Sequence, residues 1–168
     1  MIYNVLTPPA YAFLKSLRRL EYHYNTPGIY HKLMLPYVYW RYLKFSQKAG
    51  ISISKNSCAK GLTLYHFGSI VINAAAKIGR NCCVMNNVNI GANAGSEKTP
   101  KIGDNVYIGP GAVIYGEIEI ADGCYIGANA VVNKTFAEPG SVIAGVPAKV
   151  KKKDHENWWQ KNKMNREL

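Results

Sequence analysis

The sequence is governed by a period of six. Counting from Ile72, every sixth residue reads Ile72, Ile78, Val84, Ile90, Ser96, Ile102, Ile108, Ile114, Ile120, Ile126 and Val132, so ten of eleven slots are Ile or Val. Ile, Val and Leu together are 37 of 168 residues, and random placement would fill such a row on the order of once in a million. A second row, four residues after each slot, is mostly small or β-branched: Ala76, Cys82, Val88, Ala94, Val106, Ala112, Ile118, Cys124, Ala130 and Phe136. Six is neither 3.6 nor 2, so an amphipathic helix and an antiparallel sheet both fail as explanations. A short strand and a turn every six residues fit, and three such units close a triangular coil of eighteen. The aliphatic row then points inward and stacks on its counterpart one coil up, giving a solenoid with a continuous apolar column. Residues 70–146 make roughly four coils.

The row fails once, at Ser96. The polar stretch 92–101 contains Pro100, which cannot donate to a strand ladder, and it reads as a loop pushed out of the coil. Gly follows the main slot at Gly79, Gly91, Gly103, Gly109 and Gly127, and Asn73, Asn81, Asn105 and Asn129 supply turn conformations that other residues resist. Cys82 and Cys124 occupy small inward slots and read as packing residues, while Cys83 is an outward-facing thiol of the coil.

The ends differ from the middle. Net charge is +11, but residues 51–148 contribute only +1, against +6 from residues 1–50 and +4 from residues 149–168. A near-neutral body with no nucleic-acid motif argues against a nucleic-acid partner. Residues 1–50 form a helical N-terminal segment that holds 11 of the 19 aromatic residues. Two helices are expected, roughly 9–24 with Phe13, Leu14, Leu17, Leu20 and Tyr24 on one face, and roughly 29–48, kinked or split by Pro36. This segment either packs on the solenoid or touches a membrane interface peripherally. Residues 151–168 form a short basic tail anchored by Trp158 and Trp159.

No run of about 18 apolar residues exists, so no spanning helix is expected. The opening MIYNVLTPPAYAFLKS lacks the pattern of a secretory signal, and four cysteines with two adjacent make no disulfide framework. The expected location is the cytoplasm, at most at the inner face of the membrane.

Three stretches carry a family resemblance: 61–73 (GLTLYHFGSIVIN), 100–109 (PKIGDNVYIG) and 144–149 (AGVPAK). With the six-residue rows they resemble the hexapeptide-repeat acyltransferases, which form a left-handed parallel β-helix, and more narrowly the serine acetyltransferases and their relatives that O-acetylate cell-surface polysaccharides. The resemblance covers residues 51–150 as one acyltransferase domain. It implies a homotrimer with sites between neighbouring prisms, acetyl-CoA as co-substrate, no metal, and His66 as general base. It implies that Gly109, Pro110, Gly127 and Ala128 hold the pantetheine arm and that Lys134 and Lys149 meet the CoA phosphates. Asn86, Asn89 and Asn93 offer neutral donors and acceptors to a hydroxylated acceptor.

The sequence departs from serine acetyltransferases at Ser52, Tyr65 and Thr99, where they carry two acids and a second histidine, and in its much shorter helical segment. These departures point to another acceptor, a sugar hydroxyl of a polysaccharide or its precursor, with serine O-acetylation for cysteine synthesis as the alternative. An imidazole can take a hydroxyl proton at neutral pH, so direct transfer from the thioester needs no metal. A zinc site on this kind of coil needs three imidazoles, and His66 is the one histidine of the coil. Extending the six-step row backward lands on His66, which an unbroken coil would turn inward as a plug. The base role requires an irregular turn, which Phe67-Gly68-Ser69 can supply, and an orienting partner such as Asn86 or Glu117.

Overall fold

The computed structural model describes residues 8–153. Two helices, α1 (Pro8–Asn25) and α2 (Ile29–Ala49), precede fourteen short strands. Thirteen of these build three parallel sheets, the faces of a left-handed triangular β-helix. The first face is β1 (Ile51–Ile53), β3 (Ile70–Ile72), β6 (Asn89–Gly91), β9 (Val113–Tyr115) and β12 (Val131–Val132). The second is β4 (Lys77–Ile78), β7 (Lys101–Ile102) and β10 (Glu119–Ile120), extended at its ends by bridges at Cys58 and Phe136. The third is β2 (Thr63–Leu64), β5 (Cys83–Val84), β8 (Tyr107–Ile108), β11 (Tyr125–Ile126) and β13 (Val142–Ala144), and β14 (Lys149–Lys152) closes it as an antiparallel strand.

Each face contributes one inward ladder. Ile53, Ile72, Ile90, Ile114 and Val132 stack along the first. Ile78, Ile102 and Ile120 stack along the second. Leu64, Val84, Ile108, Ile126 and Ile143 stack along the third. All are essentially inaccessible, so the column is dry along its length. The strands number five coils. The fifth, residues 51–64, precedes the four expected over 70–146, because its ladder is out of phase with the six-step row. Leu64 and Ile72 are adjacent slots separated by eight residues rather than six.

The passage at Ser96 is the complementary case. From Ile90 on the first face to Ile102 on the second the chain takes twelve residues, and 92–100 contain no strand. The excursion adds six residues, one full slot, so the row stays in phase across it although Ser96 lies outside the column, exposed.

Turn chemistry follows the sequence with one change. Asn81, Asn105 and Asn129 adopt left-handed backbone with φ of 57°, 58° and 54°, as do Asn56 and Asn87. Asn73 does not; its side-chain oxygen instead accepts the Ala75 N–H at 2.9 Å. A Cβ on Gly109 would sit 2.8 Å from the Ala128 nitrogen and the Ile126 oxygen of the next coil, so the spacing of the coils itself demands glycine there.

The helices cap the N-terminal end of the column. Phe13, Leu17, Leu20, Val38, Tyr42 and Ala49 join the same core as Ile51 and Ile53. The Tyr42 hydroxyl donates to the Ile53 carbonyl at 2.9 Å, and the Arg18 guanidinium donates to the carbonyls of Cys58 and Ala59 at 2.9 and 2.6 Å. Tyr24 is exposed rather than packed with Phe13 and Leu17; it ends the face beyond the column, and Lys55 sits 4.4 Å over its ring. Pro36 neither splits nor ends α2. It lies on the solvent side of one continuous helix, away from the face packed on the column. The expected tail anchors Trp158 and Trp159 fall outside the described residues.

Candidate active site

The edge between the third and first faces collects most of the expected site. His66 lies in the turn joining β2 to β3. One coil up the same corner holds Asn86, then Gly109 and Pro110, then Gly127 and Ala128. Backbone bonds stitch this corner together: Gly111 N–H donates to the Asn86 carbonyl at 3.0 Å, and Asn129 N–H to the Pro110 carbonyl at 2.8 Å. Lys149 pairs with Ala144 at the C-terminal end of the third face.

His66 is exposed, not a plug. The reason is the enlarged turn: its two extra residues put Leu64, with no exposed surface, in the inward slot that the six-step row assigned to His66. Gly68, at φ 117°, supplies the backbone conformation the turn needs. The turn is anchored from outside, because Gly68 N–H donates to the Ala49 carbonyl at 2.8 Å and Ile70 N–H to the Gly50 carbonyl at 3.2 Å. Ala49 ends α2 and Gly50 caps it, so the last carbonyl of the helix and that of its cap fix the histidine-bearing turn. The link from helix end to turn was not visible in the sequence; Gly50, at φ 65° where α2 stops, was its one available signal.

Outside the third face, next to this corner, runs an apolar strip of Tyr65, Cys83, Met85, Tyr107 and Tyr125. The Tyr107 and Tyr125 rings stack with centroids 4.4 Å apart. Toward the C-terminal end the strip narrows to small residues, Gly109, Gly127 and Ala144. Cys83 is fully covered, and burial, then the neighbouring Cys82, drives its thiol far up; it is a packing residue. Burial also pushes Cys58 up to about 11 and Cys82 up to about 12. Tyr107 is raised by burial and, secondarily, by Tyr125, so it stays a neutral phenol.

Other expected residues sit elsewhere. Asn89 points outward on the first face, beside Val71 and Val113 in register. Asn93 lies at the far edge of that face, at the start of the excursion, where a Cβ on Gly116 would meet its side-chain nitrogen at 3.1 Å. Lys134 is on this far edge too, its ammonium 5.6 Å from the Phe136 ring centre, apart from Gly109 and Gly127. Glu117 is there as well and is paired with Lys98, so within one chain it does not orient His66. Among the described residues no group of three or more His, Cys, Asp or Glu could hold a metal ion, and no helix is long and apolar enough to cross a membrane.

Fold and repeat define a class, the left-handed β-helix built of hexapeptide repeats, and residues 99–134 match the family model described as bacterial transferase hexapeptide (six repeats). Within that class the chain is similar to serine acetyltransferases of known structure. That from Brucella abortus strain S19 is 24% identical with a TM-score of 0.72, over 86% of this chain and 57% of that one. That from Neisseria gonorrhoeae is 27% identical with a TM-score of 0.71, over 88% and 56%. That from Vibrio cholerae O1 biovar El Tor N16961 is 25% identical with a TM-score of 0.71, over 89% and 56%. This chain thus spans little more than half the length of the structures it matches. No curated protein is similar enough in sequence to count as a match.

Proposed function

We propose that the chain is an acetyl-CoA-dependent O-acetyltransferase with His66 as its general base. The observation that carries this reading is the enlarged turn, which sets an exposed imidazole at the foot of an edge floored by Gly109 and Gly127. The thioester lies along that edge, with Pro110 and Ala128 against the pantetheine arm and Lys149 near the phosphates. The imidazole takes the acceptor's hydroxyl proton as the oxygen attacks the acetyl carbon. A new ester C–O bond forms, the C–S bond breaks, and the proton passes from His66 to the departing thiolate. In a homotrimer the far edge of a neighbouring prism, with Asn93 and Lys134, completes the cleft that Asn86 and Asn89 begin.

For the acceptor, the similar structures are serine acetyltransferases, and they favour L-serine over the sugar hydroxyl that the sequence alone favours. The sugar retains one specific support. Ser52 is an exposed residue of β1 and Tyr65 belongs to the aromatic strip, so neither provides the carboxylates that the resemblance expects beside the base. A CoA-release assay with L-serine and with nucleotide-activated and lipid-linked sugars separates the two, run also on His66→Ala. A loss of about 10²–10⁴ in rate is expected for the variant with the oligomer intact. Undiminished turnover by His66→Ala would overturn the base assignment, and turnover with neither acceptor class would overturn the reaction.

A further inference from the structure

α2 is apolar on two opposite sides. Val38, Tyr42 and Ala49 face the core. On the other side Ile29, Leu33, Trp40 and Leu43 recur at helical spacing and are 73%, 72%, 56% and 39% exposed. An apolar ridge of a helix is stabilised by cover, and the column covers only the opposite side of this one.

A cationic cavity is linked to this ridge through Tyr37, whose ring stacks on that of Trp40 with centroids 6.4 Å apart and lies under the Arg41 guanidinium. Between α1 and α2 a space of about 200 Å³ is lined by Lys15, Arg19 and Arg41, together with Tyr11, Val38 and Phe45. No carboxylate lines it, and among the described residues none pairs with any of these three cations. Aromatic rings hold Arg41 in place instead: its guanidinium stands 5.6 Å from the Phe45 ring centre and 6.0 Å from that of Tyr37. α2 has no Asp or Glu, and the one acid of α1, Glu21, is engaged by Arg18.

These features select the occupant by charge and by layer. A second copy of the hairpin would set uncompensated cations against cations. An anionic bilayer offers phosphates at one depth and the acyl boundary just below, matching a cationic cavity linked to an aromatic and aliphatic ridge. We infer that the α1–α2 hairpin docks flat on an anionic phospholipid surface, with a lipid phosphate in the Lys15–Arg19–Arg41 cavity and the Leu33–Trp40–Leu43 ridge at the headgroup boundary. The inference does not depend on the acyl acceptor.

Flotation of the full chain with phosphatidylcholine vesicles, with and without about 30% phosphatidylglycerol, tests it. Recovery with the anionic vesicles only is expected, and it falls as salt rises. Lys15→Gln/Arg41→Gln lowers partitioning about 25-fold, about five-fold per charge. The control Lys151→Gln/Lys152→Gln, two exposed cations at the far end of the column, lowers it less than about two-fold. Circular dichroism confirms that each variant folds. No flotation, equal recovery on neutral vesicles, or a control variant as defective as the cavity variant overturns the inference. So does a change of sedimentation mass in Leu33→Ser without vesicles, which would name a second copy as the occupant.

Discussion

Ile102 tests the register of the column where the sequence row breaks. It follows the excursion, lies 4% exposed, and stacks between Ile78 and Ile120. Ile102→Ala removes three carbons at about 0.8 kcal/mol each, or about 2.4 kcal/mol of transfer free energy. A column locked between coils above and below cannot collapse freely into the gap, and the cavity raises the total to about 3–4 kcal/mol. Two neighbours serve as controls. Lys101→Ala removes an exposed 3.2 Å pair with Glu119 and costs less than about 0.5 kcal/mol. Ser96→Ala, outside the column, costs about as little. Urea unfolding followed by far-UV circular dichroism, with unchanged slope, reads all three. A loss below about 1 kcal/mol for Ile102→Ala, or a comparable loss for Ser96→Ala, would refute the six-residue excursion and the ladder built on it.

Other outcomes follow from the same geometry. Gly109→Ala drives a Cβ to 2.8 Å from backbone of the next coil and should cost about 1–3 kcal/mol, whereas Gly91→Ala, whose nearest neighbour is the Asn89 side-chain oxygen at 3.7 Å, should be near neutral; thermal melts of the two variants compare them. All four cysteines are buried, so a thiol reagent should label none in the native protein and four after unfolding; prompt native labelling would contradict the packing of Cys83. Burial raises the folded-state pKa of Cys58 to about 11 and of Cys82 to about 12, so these thiols stay protonated in the folded chain while the unfolded chain ionises. The folded state then binds more protons, and stability falls as pH rises from about 9 toward those values, by at most about 1.4 kcal/mol per pH unit and thiol. Cys58→Ala/Cys82→Ala should flatten that slope in denaturant titrations at several pH values.

The column was legible because its signal repeats: one buried aliphatic side chain per six residues, with Gly or Asn at the turns, leaves few alternatives for residues 70–146. Its first coil was not, because phase carries the information and the turn at 65–69 changes it by two residues. The same shift made His66 look like a core slot, and counting alone cannot tell an inward histidine from an outward one followed by a longer turn. The excursion hid differently, by adding a whole slot and leaving the phase intact. Phe13, Leu17 and Leu20 announced the packed side of α1, but nothing in the sequence said that Arg18 reaches the Cys58 and Ala59 carbonyls or that α2 ends against the histidine turn. The candidate site was half visible for the same reason. Residues one coil apart share an edge by arithmetic, whereas Lys134, seven residues past Gly127, falls on the next edge, and Asn93 does so once the excursion is counted.

The bond from Gly68 to the last carbonyl of α2 ties the front of this molecule to the histidine-bearing turn in a way its small size conceals. A shortened chain starting at Ile51 would keep every repeat, yet it would open the mouth of the column at Ile51 and Ile53 and strip the His66 turn of its bonds to Ala49 and Gly50. Trimming the hairpin therefore does not simply pare the molecule down to its repeats; it cuts the mooring of the turn that bears the imidazole.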